Sequence, residues 1–253
     1  AVDLARSGVN VVFLGAVGPV GDELRAAPVA VHCLDQVELA DSGHRTAAAI
    51  QGLWNGKAGR EARAILLRLP PDRTVVHLHG YTKAITTAPV RAANRLGFPV
   101  VCTLHDFFAA CPNGAFYDYR AGRPCPRRAL SLGCALAHCD KRHYAHKLYR
   151  VAPGWIQHWR GRFPASVRHY ISLSERSASL LTPYLPRGAQ LYPLPNIGDA
   201  SRKPHVDVAS NTALLYVGRL DPEKGVRLLA ETASRLGLAI TFVGDGALRD
   251  EIA

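Results

Sequence analysis

The sequence predicts an α/β protein of two doubly wound units, the second of them incomplete. Three observations predict it. Short β-branched runs alternate with Gly or Pro turns and with segments of helical period. Several of those runs are apolar on both faces, as parallel strands covered by helices on both sides must be. The alternation stops once, at a polar stretch, and then begins again.

Ala1 to Gly8 reads as the end of an amphipathic helix and carries no apolar run of signal-peptide type. Strands are predicted at Val9–Leu14, Pro28–Leu34, Thr74–His79, Pro99–Leu104, His169–Leu173 and Gln190–Leu194. Helical patterns fall between them at Arg45–Leu69, Pro89–Leu96 and Glu175–Leu185. Gly15-Ala-Val-Gly18-Pro-Val-Gly21 follows a strand, but its GxxGxxG spacing is wrong for a dinucleotide loop and Pro19 removes an N–H, so it reads as a turn. Asn196 to Asn211 is polar, contains Pro204 and has no period, which suits a linker between domains. A strand at Thr212–Val217, a helix at Val226–Leu236 and a strand at Leu238–Val243 then open a second unit. The helix repeats apolar residues at Val226, Leu229, Ala230, Ala233 and Leu236, a single face of helical spacing. One βαβ unit is too little for a stable domain.

The chain has 253 residues, 48% of them apolar and 20% charged, within the range of a globular protein with a real core. No stretch approaches the roughly 20 uncharged apolar residues of a membrane-spanning helix. Charge is concentrated: between Arg120 and His169 eleven Lys and Arg face one acid, Asp140, so this segment carries +10 of the net +11. Such a field points to anionic lipid, nucleic acid or a phosphorylated substrate, against the alternative of a solvated basic face without a partner. Six cysteines without a secretion signal point to a reducing, cytoplasmic compartment.

The strongest chemical signal is Gly218-Arg-Leu-Asp-Pro-Glu-Lys-Gly225, which leaves a strand and enters a helix. Gly218 permits a sharp turn and Gly225 a close approach before the helix, whose first N–H groups and positive end favour an anion. Arg219 can grip phosphate oxygens with two bonds and Lys224 adds a compact charge. Cations aimed at a departing nucleoside diphosphate lower the barrier to its departure. A charged surface turn is the competing reading, and the turn at Gly244-Asp-Gly246 after the next strand favours the functional one. In the first unit, Thr103-Leu-His105-Asp106 follows an apolar strand and puts His105 at a carboxyl strand end, where it can bond a sugar hydroxyl or a phosphate. Asp106 can orient it or contact an acceptor. A satisfied structural histidine is the alternative.

Tyr216-Val-Gly-Arg-Leu-Asp-Pro-Glu-Lys-Gly-Val, followed by Ile240-Thr-Phe-Val-Gly-Asp-Gly, closely resembles the donor-domain opening of family 4 (group 1) glycosyltransferases of the GT-B fold. Pro99-Val-Val-Cys-Thr-Leu-His-Asp and Val75-Val-His-Leu-His-Gly are similar to the strand ends that line the first domain's cleft in that family. The resemblance implies two Rossmann-like domains: residues 1–196 on the acceptor side, with a Cys and basic insert at 107–163, and 197–253 as the linker and start of the donor domain. It implies that Gly218, Arg219, Lys224 and Gly225 hold the donor diphosphate. His105 and Asp106 then serve catalysis, and His79, Gly80 and Gly244 line the cleft, with His77 assigned to the core. Ser172-Leu-Ser174-Glu and Pro195-Asn196 look like architectural landmarks of the same fold. The implied reaction moves a hexose from a nucleoside-diphosphate sugar to a glycan or lipid-linked acceptor, with retention and without a catalytic cofactor, in surface polysaccharide assembly.

Two features of the family are missing. Its first strand and Gly-rich turn do not precede Ala1, and its paired-glutamate motif does not occur before Ala253. The chain is therefore expected to be truncated at both ends and inactive by itself. A nucleotide-sugar epimerase of the same fold remains an alternative reaction.

Four cysteines cluster as Cys111-x13-Cys125-x8-Cys134-x4-Cys139. Four thiolates close a tetrahedral structural zinc site, although only the last pair has ordinary ligand spacing; separate buried thiols and a disulfide are the alternatives. Cys33 and Cys102 fall inside strands and read as core. From Lys141 to Phe163, basic residues interleave with Tyr144, Tyr149, Trp155, Trp159 and Phe163. That mixture suits an anionic membrane surface, here the cytoplasmic face. Single-stranded nucleic acid is the other ligand it suits, and a zinc-containing nucleic-acid module is the third reading. The glycosyltransferase resemblance favours the membrane and no nucleic acid.

Overall fold

The computed structural model describes residues 1–36, 45–82, 84–196 and 207–252. The chain divides into two compact units, Ala1–Asn196 and Ile197–Ala253. Most of the predicted linker, including Pro204, lies outside the described residues.

The first unit opens with helix α1 (Val2–Arg6), strand β1 (Val11–Gly15), helix α2 (Asp22–Ala26) and strand β2 (Val29–Cys33). β1 and β2 pair in parallel, Val11 opposite Val29 through Gly15 opposite Cys33. They form a two-stranded ladder of their own. Helices α3 (Arg45–Leu53) and α4 (Gly56–Leu66) follow. The predicted single helix is thus two, because Asn55 stops the first and caps the second: its side chain accepts the Ala58 N–H at 2.9 Å. Strand β3 (Val76–Leu78), helix α5 (Ala88–Arg95) and strand β4 (Val100–Leu104) come next. After β4 the chain runs through the insert, which holds the hairpin β5 (Tyr117–Asp118) and β6 (Arg123–Pro124), then helices α6 (Leu132–Leu136) and α7 (Tyr144–Trp159). Strand β7 (His169–Ser172), helix α8 (Glu175–Leu181) and strand β8 (Gln190–Pro193) complete the unit.

β3, β4, β7 and β8 form one parallel sheet in that order. Parallel neighbours need crossover connections, and α5, the insert and α8 supply them. The core of the unit lies on this sheet: Leu78, Val100, Cys102, Leu104 and Tyr170 are buried together with Val90 of α5 and Leu181 of α8. β4 is the most enclosed strand, four of its five residues being buried, as expected of an inner parallel strand. All four strands end on the same side, so the residues following β3 and β4 emerge next to each other.

The second unit contains strand β9 (Ala213–Val217), helix α9 (Val226–Arg235), strand β10 (Ala239–Val243) and helix α10 (Arg249–Ile252). β9 and β10 are parallel, Ala213 opposite Ala239 through Val217 opposite Val243. Leu220, Val226 and Leu248 form its small buried cluster, and Arg227 of α9 pairs with Glu251 of α10. No described helix is long and apolar enough to cross a membrane.

Candidate functional site

In the first unit the strand ends bring three imidazoles together. Residues two apart on a strand share a face, so His77 and His79 point the same way beside Thr103 and His105 of the neighbouring strand. His77 Nε2 lies 2.7 Å from Thr103 Oγ1, and His79 Nδ1 lies 2.8 Å from His105 Nε2. The rings of His77 and His79 are 3.9 Å apart at their centroids, those of His79 and His105 5.1 Å. His77, expected in the core, is exposed and belongs to this stack; it faces away from the apolar side of the sheet that Leu78 occupies. Partial burial, then the charges of His77 and His105 and of the Ala1 amino group, push the His79 imidazole down to about 4. Burial and His105 lower His77 as well. His79 is therefore a neutral imidazole at pH 7, able to donate or accept one bond with His105 according to tautomer.

Among the described residues no hydrogen bond joins Asp106 to an imidazole, although it interacts electrostatically with His105. Its Oδ1 accepts the Phe108 N–H at 3.0 Å, so it organises the turn that leaves β4. Burial holds its carboxyl above the usual range, opposed by that N–H and by His105. Gly80, at φ 39°, turns the chain directly after His79. Ser174 caps α8 through the Ser177 N–H at 3.1 Å, an architectural role.

In the second unit, Gly218 to Gly225 runs from the end of β9 to the start of α9. Gly225 is left-handed, φ 71°, which joins the short 3-10 turn at Pro222–Lys224 to the helix. The Gly218 loop lies directly on the loop after β10. Leu220 N donates to Asp245 O at 2.9 Å, and Leu248 N to Leu220 O at 2.9 Å. A Cβ on Gly244 would overlap the carbonyl of Gly218, and one on Gly246 would come within 2.6 Å of Leu220 backbone atoms. Gly244 is thus required for loop against loop packing. The Arg219 guanidinium is pinned by two acids of its own loop, Asp221 at 2.6 Å and Glu223 at 3.4 Å, yet its side chain is 63% exposed. Asp221 is buried. Lys224 is exposed and takes part in no ion pair among the described residues. A fixed guanidinium, an exposed ammonium and a helix start at a carboxyl strand end are the elements of an anion site.

The insert departs from the zinc expectation. Among the described residues no three His, Cys, Asp or Glu side chains are arranged to hold a metal ion. Cys134 and Cys139 instead share the ammonium of Lys147, which lies 3.4 and 3.2 Å from their sulfurs. A cation in that position excludes a second one. Cys111 donates to Asn113 Oδ1 at 3.0 Å, and Asn113 Nδ2 in turn reaches the Cys139 sulfur at 3.5 Å. Cys125 lies apart from these, beside Arg127. Among the described residues the four cysteines do not come together as one metal-ligand group. Lys147 is fully buried; burial lowers the affinity of its amine for a proton, but the sulfurs of Cys139 and Cys134 outweigh this and hold it above the ordinary lysine range. Nothing in the amino-acid pattern singles out Lys147, since a lysine in a basic segment reads as solvated.

No family model matches the chain, and no curated protein matches it. Among solved structures it is similar to the crystal structure of LpCGTa in complex with UDP, at a TM-score of 0.47 and 10% identity, over 98% of this chain and 66% of that one. The chain thus spans about two thirds of that protein's length.

Proposed function

We propose that the chain belongs to a glycosyltransferase that moves a hexose from a nucleoside-diphosphate sugar to a glycan or lipid-linked acceptor. The observation that carries this reading is the loop from Gly218 to Gly225. Its guanidinium is held at 2.6 Å by Asp221, beside an exposed lysine and ahead of α9. Orientation matters because a cation fixed in advance stabilises departing diphosphate charge without reorganising. In this reading Arg219 and Lys224 neutralise the leaving group, and Gly218, Gly225 and Gly244 let backbone approach it. His105, supported by the neutral His79, bonds the donor sugar, while Asp106 shapes the turn beside it. Residues 1–196 form the acceptor-side Rossmann-like domain of a GT-B enzyme and 197–253 open the donor domain. Retention of configuration, independence of a catalytic metal and a place in surface polysaccharide assembly on the cytoplasmic side follow from the sequence resemblance.

The test is calorimetric titration of the chain with UDP, GDP and ADP. One of the three binds, and Arg219→Ala weakens it about ten- to a hundredfold, the worth of a charged hydrogen-bond pair. No binding of any at about 1 mM, or equal binding by the variant, removes the proposal.

A further inference from the structure

Helix α7 has an uncovered apolar seam. Its buried side is set by Lys147, Val151 and Gln157. On another side Ala145, Leu148, Ala152, Trp155 and Trp159 recur at spacings of three and four, which places them in one line along the helix. Leu148 and Trp155 are half exposed and Trp159 is 90% exposed. Helix α6 and the residue before its cap lie alongside: Trp155 Nε1 donates to Leu130 O at 3.4 Å, and the Tyr144 hydroxyl to Ala135 O of α6 at 3.0 Å. Helix α6 adds Leu132 and Leu136, 73% and 68% exposed and one turn apart. Isolated exposed leucines are ordinary, but five large apolar side chains exposed on two helices in contact call for an occupant.

Charge decides which occupant. α7 contains no acidic residue. The one acid of the segment, Asp140, is buried against Arg150 at 3.0 Å, and Arg127 is taken by Asp118 at 2.8 Å. Arg128, Arg142 and Arg160, which border the patch in sequence, are exposed. A second copy docking on this seam would bring like charges together, and a helical partner would need acids along both edges. An anionic bilayer meets both demands: tryptophan rings settle at the headgroup level, leucines pass below it, and guanidinium groups meet lipid phosphates.

We propose that α6 and the Ala145–Trp159 seam of α7 dock this protein on an anionic lipid bilayer, with Leu132, Leu136, Leu148, Trp155 and Trp159 as the inserted side chains. The docking concerns the first unit alone and does not depend on the donor chemistry assigned to the second.

Co-sedimentation of the whole chain with vesicles tests it. The chain pellets with phosphatidylcholine vesicles that contain phosphatidylglycerol and stays in solution with phosphatidylcholine alone, and tryptophan emission shifts to the blue on binding. The triple variant Leu132→Gln, Leu136→Gln, Trp159→Gln, whose altered side chains face solvent and leave the core intact, loses binding by about tenfold or more. Its circular dichroism and its nucleotide titration stay as in the parent, which separates failure of docking from failure of the proposed transfer function. Equal binding to both vesicle types, binding to neither, or unchanged binding by the folded variant overturns the proposal. So does concentration-dependent self-association that the same substitutions abolish, because the seam would then belong to a second copy.

Discussion

His79 and His105, twenty-six residues apart, share a single hydrogen bond, 2.8 Å between Nδ1 and Nε2. The parallel register of β3 and β4 makes that bond, since it sets Leu78 opposite Cys102 and brings the following residues of both strands to one edge. Partial burial and the neighbouring imidazoles hold His79 neutral at pH 7.

The first prediction follows from that charge state. His79 is pushed down to about 4 from an ordinary 6.5, so between these values the unfolded chain binds more protons than the folded one. The contribution of His79 to stability is complete above pH 6.5 and is lost as pH falls toward 4. Nitrogen NMR of the imidazoles reads the midpoint directly. A His79 midpoint at or above 6.5 contradicts the assignment, and His79→Gln removes this part of the acid sensitivity.

A second prediction concerns the closest backbone approach in the second unit. Gly244→Ala puts a methyl group into the Gly218 carbonyl. The two loops must separate, at about 1–3 kcal/mol or more by the usual cost of overpacking. Urea denaturation compared with Gly237→Ala, where an added Cβ meets nothing within 4 Å, isolates the clash from the general cost of losing a glycine at positive φ. Equal midpoints would mean that the loops do not touch as described.

How much of this was legible in the sequence depends on how local the determining contact is. β4 was legible because Val100, Val101 and Cys102 form an apolar run closed by a turn. The stack of His77 on His79 follows from the two-residue strand period, against the core position that the family resemblance implies for His77. α7 was harder: Pro153 and Gly154 interrupt its pattern, and its aromatic and basic residues do not segregate cleanly by hydrophobicity. The inward turn of Lys147 toward two thiols was not legible at all. Its acceptors lie eight and thirteen residues away in sequence, in a loop and in another helix. The same holds for Asn55, whose partners are supplied by chain 29 and 31 residues further on.

Asn55 gives the third prediction. It is almost fully buried and caps α4. It also donates to Ala84 O at 2.8 Å and to Gln36 Oε1 at 2.7 Å, while its own N–H goes to Thr86 Oγ1 at 3.1 Å. Asn55→Ala removes a cap and leaves the partly buried Ala84 carbonyl without its donor, a loss of about 2–4 kcal/mol. Asn55→Asp keeps the cap but cannot donate to Ala84 or Gln36, and recovers only part of that. Chemical denaturation of both variants measures the split. Equal stability of Asn55→Asp and the parent would show that the cap alone matters.

The last prediction is an asymmetry at Lys147. Its ammonium has two sulfur acceptors and no carboxylate partner among the described residues. Removing the amine and removing the sulfurs are not equivalent. In Lys147→Met two buried sulfurs remain that need no countercharge, so the loss is about 1–2 kcal/mol, the net worth of the bonds removed. In the double variant Cys134→Ala, Cys139→Ala the buried ammonium has nothing to bond to and must shed its proton or stay unpaired, at about 3–5 kcal/mol. The double variant should therefore unfold at lower denaturant than Lys147→Met, and the gap should narrow when Lys147→Met is added to it. If Lys147→Met is instead the more damaging change, the ammonium is held by more than these two sulfurs, and its bonds to Cys134 and Cys139 are secondary.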